Sequence, residues 1–153
     1  MKRPQLLDAA DLLAHANVGR PVQAFLKRAI STAYYAAFDA LASECANTLI
    51  SSEARRTTRA WAQVYRALDH GTAKVACLQA GLRGFPIEIV NFADAFVRLQ
   101  EARHDADYDP LSKFSRSEAV ALIELSEAGI RSLRQADAPH RRAFVAWVLL
   151  KRR

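Results

Sequence analysis

Residues 21–46 read PVQAFLKRAISTAYYAAFDALASECA, and their spacing decides the fold class. Phe25, Ala29, Ala33, Ala36, Ala37, Ala40 and Leu41 recur at three- and four-residue steps, the period of one helical face. Their small side chains let neighbouring helices approach closely. Working outward, Pro4, Pro21, Pro86 and Pro139 each open a stretch rich in Ala, Leu, Glu, Gln and Arg, the place of proline in a first helical turn. Pro110, after Asp109 in a turn-like segment, interrupts helix instead.

The expected helices are therefore 5–16, ended by Asn17 and Gly19; 21–46; about 54–69, with a stripe through Trp61, Val64, Tyr65 and Leu68 and a stop at Gly71; 86–106; a helix to about 136 opened by a capping box of Ser115 and Glu118; and about 140–150. A short connector at 73–79 is read as helical in part, and 107–114 as a loop. No segment alternates as a strand does. The expectation is an all-α, compact bundle of about five to six helices. One domain covers 1–136, and 137–153 form a basic, apolar C-terminal helix packed on the domain or on a dimer partner.

A chain of 153 residues, 51% hydrophobic and 25% charged, is long enough for one core and too apolar for disorder. No run approaches the ~20 apolar residues of a membrane span. Asp8 and Asp11 interrupt any signal-like core after the first residues, so a soluble, cytoplasmic protein without transmembrane association is expected. Charge is unevenly spread. Residues 131–153 hold seven basic residues against Asp137 alone, leaving residues 1–130 neutral. Such a tail attracts phosphates or solubilises a helix end. The apolar run 143–150 favours docking over interfacial membrane attachment. Cys45 and Cys77 read as small buried hydrophobes and are too few for a disulfide framework or a thiolate cage. Gly81 and Gly84 lack the strand and the Lys-Ser/Thr chemistry of a phosphate-binding loop. No cofactor and no metal are expected.

Three stretches carry a family resemblance. Arg28-Ala29-Ile30-Ser31-Thr32-Ala33-Tyr34-Tyr35-Ala36-Ala37-Phe38 resembles the long early helix of HEPN domains. Arg103-His104-Asp105-Ala106-Asp107-Tyr108-Asp109-Pro110, followed by Phe114-Ser115-Arg116-Ser117-Glu118-Ala119, resembles the later signature. Tyr65-Arg66-Ala67-Leu68-Asp69-His70-Gly71 is similar to the segment between them. The resemblance covers roughly residues 5–136 and implies an all-helical bundle, commonly a dimer. It also implies either a metal-independent ribonuclease, in some cases a toxin paired with a nucleotidyltransferase-like antitoxin, or an inactive binding relative.

The ribonuclease signature of that family is an Arg, four to six residues, and a His, often with a Tyr two positions further. Aligned on Tyr108, this chain offers Arg103 as the active-site Arg, and Asp107 falls in the region where the His is expected. His104 occupies the polar position beside the Arg. Arg98 and His104 give a second register but do not share a helical face. Metal-free RNA cleavage needs proton transfer, which His suits near neutral pH, and neutralisation of phosphorane charge, which Arg suits. A carboxyl such as Asp107 is a poor general acid there unless its surroundings raise its pKa. Arg103 and Asp107, four residues apart on one helical face, are also placed to form an ion pair.

The candidate catalytic residues are thus Arg103, His104, Asp107 and Tyr108, with His70 as a further acid–base group. Tyr34 and Tyr35, about 100° apart on one helix, are placed so that one serves the core and its neighbour a cleft or partner. The leading functional expectation is a HEPN-type, metal-independent RNA endonuclease or toxin-like RNA-processing module. The alternatives are a noncatalytic HEPN module binding a nucleotide, RNA or protein, and a structural dimerisation domain. Expected partners are a second copy in a homodimer, RNA or a nucleotide, and a nucleotidyltransferase-like antitoxin.

Overall fold

The computed structural model describes residues 2–52 and 58–150. Among these there is no strand. Seven α-helices follow in order: α1 (Gln5–Ala14), α2 (Gln23–Leu49), α3 (Arg59–Ala67), α4 (His70–Gln79), α5 (Ile87–Tyr108), α6 (Arg116–Gln135) and α7 (Ala138–Leu149), with a 3₁₀ turn at Gly81–Arg83. The bundle is all-α as expected, but with seven helices rather than five to six.

The extra helix has a local cause. Asp69 accepts the backbone N–H of Thr72 at 2.8 Å and starts α4 at His70. Gly71 therefore lies in the first turn of α4 instead of ending α3, and the connector expected at 73–79 is a full helix. A second correction concerns α5, which runs on to Tyr108, so Asp107 and Tyr108 belong to a helix rather than a loop. Pro110 is the barrier, and the helix uses the residues up to the turn before it. The part of the third expected helix at 54–57 lies outside the described residues. The Ser115–Glu118 capping box opens α6 as expected, with Ser115 Oγ accepting the Glu118 N–H and Glu118 accepting the Ser115 N–H.

Helix α2 packs against α1, α3, α5, α6 and α7. Its buried residues are mostly small, including Ala29, Ala33, Ala36, Ala37, Ala42 and Ala46, with Leu26, Ile30, Tyr34 and Leu41 filling the spaces between partners. From α5 come Ile89, Phe92, Phe96 and Leu99, from α6 Ile123 and Ile130, and from α7 Phe144, all fully buried. Phe144 meets Phe85 and Phe92 edge-on, so the C-terminal helix contributes to the same core. Cys45 and Cys77 are buried, and burial raises both thiol pKa values, that of Cys45 to about 12.

Polar clasps fix the long loops. Gln23 exchanges two hydrogen bonds with the backbone of Phe114, donating to its carbonyl at 2.8 Å and accepting its N–H at 2.9 Å. Arg116 donates to the carbonyls of Ala14, Asn17 and Gly19, holding the α1–α2 connection against the start of α6. Arg141 joins Glu44 of α2 at 3.0 Å and donates to the Ala136 carbonyl. No helix among the described residues is long and apolar enough to cross a membrane.

Helices α5 and α6 approach closely at Gly129 of α6, where an added Cβ would stand 2.9 Å from Ala95 Cβ on α5. Gly129→Ala gains at most about 1 kcal/mol of helix propensity. It meets a methyl fixed to a backbone, and such overpacking costs about 1–3 kcal/mol. The expected result is a net loss of about 1 kcal/mol in urea unfolding. A gain in stability would show that α5 and α6 separate without cost.

Candidate functional site

Apart from His104, the residues singled out in the sequence converge where the C-terminal half of α5 lies against α2, with the start of α4 closing one side. Arg103 is the centre. It is 9% exposed, and its guanidinium carbon stands 5.0 Å from the ring centre of Tyr34, 5.7 Å from that of Tyr35 and 5.8 Å from that of Tyr108. Three rings this close favour the cation through their negative faces. Arg103 Nη1 lies 3.8 Å from Asp107 Oδ2 and donates to the Tyr108 hydroxyl at 3.3 Å. The same Asp107 oxygen accepts a hydrogen bond from Ser31 Oγ of α2 at 3.2 Å. The ion pair foreseen from the i, i+4 spacing is present, held in part by a residue on a different helix. Arg103 Nε is buried without a hydrogen-bond partner among the described residues.

Tyr34 and Tyr35 divide as their spacing suggested: Tyr34 is fully buried and Tyr35 is 40% exposed. The Tyr34 hydroxyl lies 2.6 Å from His70 Nδ1. The imidazole stacks on Phe38, centres 4.0 Å apart and planes 20° from parallel, and meets Tyr35 edge-on. Gln100 of α5 donates to the His70 carbonyl at 3.1 Å. Burial lowers the His70 pKa below the usual imidazole value, and the Arg103 charge pushes the same way against Asp69. Burial raises the Tyr34 pKa, outweighing the opposing influence of Arg103.

His104 sits outside this cluster. It is exposed on α5 with its ring centre 5.0 Å from that of Tyr108, itself 65% exposed. The two therefore form the outer surface of the site, and Arg103 lies behind them. Arg28, which the sequence could not place relative to Arg103, lines a groove of about 350 Å³ with Ala24, Lys27, Ala106, Asp107 and Tyr108. Lys27 Nζ donates to the Asp109 carbonyl at 3.4 Å, drawing the end of α5 toward α2. The arrangement offers two cations and a phenol at the groove, with a third, enclosed cation beneath. Among the described residues, no group of three or more His, Cys, Asp or Glu side chains is placed to hold a metal ion.

Sequence reasoning missed one member, Ser31, and one contact, that of His70 with Tyr34. Ser31 stands one helical turn before Tyr34 and Tyr35 on an alanine-rich face, where a polar side chain signals a partner on the facing helix. The His70 contact with Tyr34 had no comparable signal, because 36 residues separate them.

The lowered His70 pKa fixes the sign of a pH effect. The unfolded chain, with an imidazole near pH 6.5, takes up a proton before the folded one. The stabilisation is complete above about pH 6.5 and is lost as pH falls through the folded-state pKa. Asp69 and Asp137, whose pKa values are lowered from 3.8 by the cap hydrogen bonds from Thr72 and His140, lose theirs only in stronger acid. The melting temperature should therefore fall between pH 6.5 and 4.5 in the wild type and fall less in His70→Asn. Parallel curves over that interval would show that His70 does not carry the dependence.

No protein-family model, curated protein or solved structure matches the chain, so the functional reading rests on the chemistry of this site and on the motif resemblance.

Proposed function

We propose that the chain is a HEPN-type module that binds RNA through the groove between α2 and α5, and that it does so as a binding module rather than as a nuclease. The observation that carries this reading is the state of Arg103. A group that neutralises a phosphorane must reach it. This guanidinium is nine-tenths covered, faces three tyrosine rings and is paired with a carboxylate standing where the family signature has its histidine. Arg28 and Lys27 at the groove are the cations placed to meet a phosphate, and exposed Tyr35 and Tyr108 offer ring faces to unpaired bases. The noncatalytic alternative thus moves ahead of the endonuclease expectation, and a homodimer or a nucleotidyltransferase-like partner remains compatible with it.

One observation favours the catalytic reading. His104 is exposed beside Tyr108, and the Tyr108 hydroxyl accepts a hydrogen bond from Arg103. That places a proton-transfer group, a phenol and a cation in series at one surface.

A single experiment separates the two. Labelled single-stranded RNA is titrated with the full chain in EDTA, and the same samples are run on a denaturing gel. The binding reading expects intact RNA, affinity that falls with salt, and a loss of about three- to tenfold in Arg28→Ala with a shallower salt slope. Cleavage that His104→Ala abolishes would establish the endonuclease instead. Neither binding nor cleavage at low salt would overturn the RNA assignment.

A further inference from the structure

We infer that His70 is a positioning residue for the Arg103 site, acting through the buried hydroxyl of Tyr34. The inference rests on the reading of Arg103 as the centre of the functional site, and it adds a residue on a third helix to it. Three contacts define the relay. His70 Nδ1 and the Tyr34 hydroxyl are 2.6 Å apart, close to the short end of hydrogen-bond distances. The ring bearing that hydroxyl lies under the Arg103 guanidinium at 5.0 Å. The imidazole is packed against α2, with Phe38 stacked on one face at 4.0 Å and Tyr35 meeting it edge-on.

Both partners of this bond are uncharged. Burial holds Tyr34 in its protonated form and His70 in its neutral form. The inferred tautomer is the one in which the phenol donates, Nδ1 is the bare acceptor, and the imidazole proton resides on Nε2. The groups facing His70 agree: Tyr34 and Tyr35 from α2, Arg103 from α5, and Asp69 next to it in the chain. Arg103 opposes a second positive charge, whereas Asp69 is committed to the α4 cap. With its hydroxyl anchored, Tyr34 cannot turn, and its ring face is fixed beneath a cation whose Nε has no hydrogen bond of its own. What holds Arg103 in place is an aromatic floor on one side and Asp107 with Tyr108 on the other. His70 locks the floor.

The test is nitrogen-detected NMR of the imidazole and guanidinium groups in the full chain at pH 7.5. The wild type should show an unprotonated Nδ1 with the proton on Nε2. Tyr34→Phe should move the Nδ1 signal and broaden or shift the Arg103 Nε–H signal. His70→Asn keeps an acceptor atom where Nδ1 stands and should retain the Arg103 signal, whereas His70→Leu should lose it. Folding is read from the amide spectrum of each sample. A protonated Nδ1 in the wild type overturns the inference without any variant, as does an Arg103 signal unchanged in a folded Tyr34→Phe. The underlying reading fails separately, through RNA affinity that stays the same in Arg28→Ala while the His70 and Arg103 signals behave as stated.

Discussion

Enclosing a guanidinium between helices is the constraint on which this site depends. A buried cation is costly unless its surroundings return what water supplied, and here the return comes from several directions. Asp107 supplies the counter-charge from one turn along the same helix, Ser31 holds that carboxylate from across the interface, and three tyrosine rings cover the faces of the cation. Each contributor has a fixed distance from α2 or α5. The two helices must therefore sit at one spacing and one rotation, which the alanine-lined surface of α2 permits and bulkier residues would prevent.

The same constraint explains the division of labour at the site. Charge that is used internally cannot also be offered to a ligand. Arg103 is committed to the interior, and the surface chemistry passes to Lys27 and Arg28 on one wall and to Tyr35, Tyr108 and His104 around it. In a helical bundle, one residue step turns a side chain by about 100°, so Arg103 and His104 can belong to the interior and the surface at adjacent positions.

Much of this was legible in the residues. The three- and four-residue spacing from Phe25 to Leu41 marks α2, and Ser115 with Glu118 marks the start of α6, because periodicity and caps are local signals. The i, i+4 pair of Arg103 and Asp107 is local as well. What escaped was either a competition between local signals or a long-range meeting. Gly71 reads as a terminator, yet the Asp69 side chain two residues earlier captures a first-turn amide and makes that glycine part of a new helix. Asp107 and Tyr108 read as loop because Pro110 follows, but a proline limits only the residue or so before it. Ser31 with Asp107, and Tyr34 with His70, meet only after the helices have docked, and nothing in their immediate neighbours records the meeting.

The two clasps on the loops bear on how the molecule is made. Gln23 closes on Phe114 and Arg116 closes on residues 14–19, each joining positions separated by more than 90 residues. A growing chain leaving the ribosome carries α1 and α2 long before their partners exist, so the small-residue face of α2 and the tyrosines on it spend most of synthesis uncovered. The groove between α2 and α5 needs residues 24–28 and 106–108 together, so it forms only once α5 is complete, and Phe144 joins the core later still. Lys27 and Arg28 therefore have no facing wall in any fragment that stops short of the end of α5.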